Sequence, residues 1–152
     1  MLMSIALALH ILAAVVWIGG MFFAYVCLRP VLGGRQPAER LQLWSGVFGK
    51  FFPWVFVCIA VLFITGFLLI YTSGGFGAVG AYVYAMLAIA VVMTGIFKFI
   101  YVAPYRHLKK AVDEENYKVA AFALGTIRKL VATNLILGIV VIFTATALKS
   151  WI

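Results

Sequence analysis

A single histidine, His10, falls inside the run ALHILAAVVWIGGMFF, where every neighbour is apolar or small. An ionisable side chain within a bilayer helix costs about 2 kcal/mol or more, and such residues usually bind or conduct something. Met3, His10 and Trp17 are seven residues apart, and Met21 lies eleven beyond His10. At 100° per residue these four fall within about 40° of one another, on one helical stripe. Ala6, Ala13, Gly20 and Ala24 flank it, small residues that admit a neighbouring helix or a flat ligand. Met86 and Met93, again seven apart, share a face further along, and Cys58 and Cys27 add two thiols. Imidazole, thioether and thiolate together suit Cu(I), and imidazole or thioether also serves as an axial haem ligand.

Each of these residues has an ordinary structural reading beside the chemical one. Met21 and Met93 can be packing filler, and a buried cysteine behaves as a small hydrophobe. His10 can be an imidazole hydrogen-bonded to the next helix. Lys98, about a turn and a half before Pro104, can snorkel to the boundary. Asn134, roughly two turns into its own apolar run, can hydrogen-bond across helices. His107, in APYRHLKK, belongs at a surface, at the wrong depth to pair with His10 across one haem.

The elements that must position these groups are membrane spans. The chain is 66% hydrophobic, with a mean hydropathy of +1.16. Crossing a bilayer takes roughly 20 apolar residues in a helix, and four runs qualify: 3–27, 51–71, 81–103 and 127–148. Strand-like alternation is absent, and a spanning segment must satisfy its own backbone. The first run lacks a polar cleavage region and is expected to be retained. An all-α, single-domain four-helix bundle follows, with no room for a soluble domain.

Charge gives the orientation. Of the Lys and Arg residues, ten lie in or beside the connections between runs one and two and between three and four. The connection TSGGFGAVG carries no charge, and the C-terminus only Lys149. The positive-inside rule then places both basic loops in the cytoplasm and both termini outside. The formal net charge of +8 needs no nucleic acid, because basic loops against anionic headgroups explain it. PAERLQLWSGVFGKFF puts Leu41, Trp44, Val47 and Phe48 at helical spacing beside Arg40 and Lys50, which predicts a short interfacial helix. The second loop is also helical in pattern and is expected to lie along the same surface. All four acidic residues fall in these loops, which argues against a proton-coupled transporter.

LHILAAVVWIGGMFF followed by LRPVL, then FFPWV, APYRHL and IRKLVATNLILG, resemble the CopD family, integral membrane proteins named for copper resistance. The chain looks like a stand-alone four-helix member. A more distant similarity is to the HemJ-type protoporphyrinogen oxidases, thought to hold b-type haem, which share a first-helix histidine before a Trp and small residues. Where that family has a functional lysine near the start of helix three, this chain has Met86. The resemblance implies copper handling in an inner (plasma) membrane, through His10, Met3 and Met86, with Met21, Met93, Cys58, Asn134 and Lys98 as further candidates. It equally implies haem b on His10, with Trp17 and Met86 beside it. A periplasmic copper carrier or a quinone would be the partner, and an oligomer is open. A third class is a ligand-free assembly subunit in which His10 is interhelical glue. No nucleophile–base pair, phosphate loop or HExxH motif supports a hydrolase or transferase.

Overall fold

The computed structural model describes residues 1–147, and among these it contains helices and tight turns with no strand. α1 runs Leu2–Phe22 and continues through a π-helical stretch, Phe23–Leu28, into α2, Arg29–Leu32. α3 spans Pro37–Thr72, α4 Ala81–Val102, α5 Pro104–Asp113 and α6 Tyr117–Ala147. Four lengths are long and apolar enough to cross a membrane: Leu2–Leu32, Pro37–Thr72, Ala81–Asp113 and Tyr117–Ala147. The fold is an all-α membrane bundle. Leu148, where the fourth run was expected to end, and Lys149 lie outside the described residues.

Local chemistry explains the breaks. Pro30, Pro37 and Pro104 each stand in a first helical turn, where the missing N–H would have had no partner anyway. The residue before a proline is pushed out of the helical region; Ala103 accordingly departs from it and separates α4 from α5. The uncharged turn after α3 needs left-handed backbone at Gly74 (φ 101°) and Gly75 (φ 84°), conformations that glycine adopts freely. Before α6, the side-chain oxygen of Asn116 accepts from the Val119 N–H at 3.3 Å, capping a helix start.

α1 lies principally against α3, while α6 packs against α4 and α5 and touches α1. The core is densely aromatic where α3, α4 and α5 meet. Phe48 and Phe52 stack with centroids 5.0 Å apart, and Tyr105 sets its edge against Phe52 at 4.9 Å. Trp17 and Phe97 meet edge-on at 6.4 Å, a contact from α1 to α4 across the bundle.

The expected interfacial helices are replaced by longer spans. α3 runs unbroken from Pro37, and Leu41, Trp44 and Phe48 are buried in the bundle core, not laid along a lipid surface. Pro53 does not end the upstream segment; it sits inside α3, as prolines in membrane helices can. Residues 104–126 likewise form α5 and the first turns of α6. Pro104, Tyr105, Leu108 and Ala111 are buried, and α5 packs on α6 and α3. An apolar stripe at helical spacing suits a membrane surface and a neighbouring helix alike, and here the neighbours are present.

Candidate functional site

α1 and α3, joined by the short turn at 33–36, bring His10 beside Thr65. The His10 Nδ1 is 2.8 Å from Thr65 Oγ1. Thr65 Oγ1 donates to the Val61 carbonyl at 2.6 Å, with the Leu62 carbonyl further off at 3.4 Å. A hydroxyl has one proton. With that proton on its own helix, Oγ1 accepts from Nδ1–H, which assigns the imidazole the tautomer whose Nε2 carries a lone pair. Thr65 is buried and His10 half-buried. Gly66 makes room for the ring, since a Cβ there would stand 3.4 Å from His10 Cε1.

Thr65 and Gly66 were not among the residues that sequence reasoning singled out. Their signal is spacing: Thr65 is one heptad past Cys58, which is one heptad past Phe51. Phe51 packs on Gly20 of α1 and Thr65 meets His10, so this lane of α3 faces α1. Cys58, buried on the same lane, therefore lies about 10 Å along α3 from Thr65, level with Trp17.

The other candidates are dispersed. Met3 is 50% exposed at the rim of the bundle, while Trp17 and Met21 are buried. Met86 is half-buried on α4, whose main partner is α6. Pairing His10 with Met86 depends on helices one and three being neighbours, and those helices instead pack on α3 and α6 respectively. Met93 and Asn134 do come together: Asn134 Nδ2 donates to the Met93 carbonyl at 3.1 Å. Asn134 is 1% exposed and its Oδ1 has no hydrogen-bond partner. Lys98, Cys27 and His107 are exposed, and both cysteines are free. Among the described residues no group of three His, Cys, Asp or Glu is placed to hold a metal ion. The arrangement offers one oriented imidazole and several soft donors at graded depths.

No curated protein and no solved structure matched the chain. The family model for copper resistance protein D, CopD, matches residues 45–148, from within α3 onward, and leaves His10 before the matched region. That match covers more than half of the chain, on a bundle with four membrane-length helices, and the protein belongs to the CopD family.

Proposed function

We propose that this multi-pass membrane protein takes Cu(I) as cargo in copper homeostasis, with His10 Nε2 as its principal ligand. The observation that carries the reading is the Thr65 hydrogen bond, which occupies Nδ1 and leaves Nε2 free. Metal-binding histidines characteristically donate their other ring N–H in this way, which fixes tautomer and orientation. Cu(I) favours thioether and thiolate partners. Met3 and Met86 supply thioethers towards the same end of the bundle, and Cys58, Met21 and Met93 are soft donors deeper in the core. Only two histidines exist, and His107 is exposed on α5 at the basic end, so copper fits the donor set better than a bis-histidine haem. The basic end faces the cytoplasm of a plasma (inner) membrane, and His10 lies towards the outside, where a carrier would deliver copper.

The experiment is metal analysis with an absorption spectrum on purified protein, wild type against His10→Ala. Wild type is expected to bind copper with no Soret band, and His10→Ala to lose most of it while remaining folded. Equal copper in both proteins removes His10 as the ligand, and a Soret band replaces copper with haem.

A further inference from the structure

At the opposite end of the bundle, three arginines from three spans converge on one cavity. It has a volume of about 390 Å³ and is lined by Arg29, Arg40 and Arg128 together with Tyr25 and Trp44, with room for about a dozen waters. Arg29 arrives from α2, Arg40 from the first turns of α3, and Arg128 from α6. All three are half-buried. The Arg29 guanidinium lies over the Tyr25 ring, 5.0 Å from its centroid, an arrangement that holds its plane in a fixed direction.

The π-helical stretch explains why Arg29 is there. The inner stripe of α1 repeats every seven residues through His10, Trp17 and Ala24, and its next member would be Val31. Val31 is 69% exposed, and Leu32 is buried instead. The stretch Phe23–Leu28 therefore carries one residue more than the α-helical repeat, which turns everything after it by about 100°. Without that slip Arg29 would continue the lane of Val15 and Phe22, both exposed on the outer surface of α1. With it, Arg29 falls into the lane of buried Met21 and reaches the cavity.

No carboxylate answers these charges. The chain has four acidic residues, and among the described residues the ion pairs are Arg35 with Glu39 and Lys110 with Glu114. Three like charges on one cavity repel, and an anion between them reverses the sign of that interaction. Guanidinium groups pair bidentately with phosphate oxygens, and basic pockets between membrane helices bind anionic headgroups. We propose that this cavity is a phosphate-binding site filled by the headgroup of an anionic phospholipid. The lipid, and not free phosphate, is the expected source, because the cavity opens at the end of the spans where headgroups lie. The site stands apart from His10 and does not depend on copper binding.

The test uses delipidated full-length protein in a neutral detergent. Phosphatidylglycerol, phosphatidylcholine and inorganic phosphate are added separately; bound lipid is counted by native mass spectrometry and the melting temperature followed. Phosphatidylglycerol is expected to be retained and to raise the melting temperature, with phosphatidylcholine and inorganic phosphate much weaker. Arg128→Gln and Arg40→Gln should each weaken phosphatidylglycerol retention about tenfold. Arg128→Lys, which keeps the charge and loses the fork, should fall between, and Arg35→Gln, outside the cavity, should match wild type. Equal retention by wild type and the Arg40→Gln/Arg128→Gln double variant overturns the site, as does equal binding of phosphatidylcholine. A response to inorganic phosphate without one to phosphatidylglycerol overturns the lipid as occupant.

Discussion

Thr65 gives its only proton to its own helix and so dictates where the proton of His10 must be. Thr65→Val keeps the shape of the side chain and removes that instruction. Its expected effect is a 10–100-fold loss of copper affinity without loss of the fold, the usual cost of removing a group that orients a ligand. Thr65→Ser, which restores the hydroxyl, should recover most of it; competition titration with a Cu(I) chelator reads both. Asn134 poses a different problem, because its Oδ1 is buried without a partner. Such an atom costs about 1–3 kcal/mol, and replacing it by an apolar group of similar size can be neutral or stabilising. Asn134→Leu is therefore expected to leave the melting temperature of copper-free protein unchanged or higher. A fall of several degrees would show that its bond to the Met93 carbonyl matters more than the orphaned oxygen.

The helices were the legible part of the sequence, and their limits were not. Runs such as Phe51–Tyr71 announce a span because only a helix can satisfy a backbone in hydrocarbon. The same logic is silent about Pro37–Lys50, whose polar residues read as a surface segment although Trp44 and Phe48 are held by the aromatic core around Tyr105. His10 stood out by its chemistry alone. Its partner did not, since a threonine in an apolar helix commonly turns back on its own carbonyl, as Thr94 and Thr144 do here. The slip after Ala24 has no compositional mark at all and shows only in the exchange of Val31 for Leu32. Deleting Val26 from the π-helical stretch is expected to straighten α1. It would return Arg29 to the outer lane and abolish retention of anionic lipid while copper binding at His10 persists. Unchanged lipid retention in that deletion would mean that Arg29 reaches the cavity by some other route.

For the whole molecule, the basic end and the uncharged end define a direction. A reporter that functions only in the cytoplasm should be active when inserted at Gly34 or Glu115, in the turns of the basic end, and silent at the N-terminus or at Gly77. The reverse pattern would invert the bundle and put His10 on the cytoplasmic side. That direction also separates the two ends of α1. His10 and Arg29 are nineteen residues apart, about 28 Å along the axis, and the first packs on α3 while the second answers to groups from α3 and α6. Sites so far apart with no shared partner are energetically independent unless some two-state element joins them. The stability losses of His10→Ala and Arg29→Gln should then sum in the double variant to within about 0.5 kcal/mol. A larger departure would be a coupling free energy, and copper at one face of the membrane would then alter the hold on lipid at the other by the same factor that lipid alters the hold on copper.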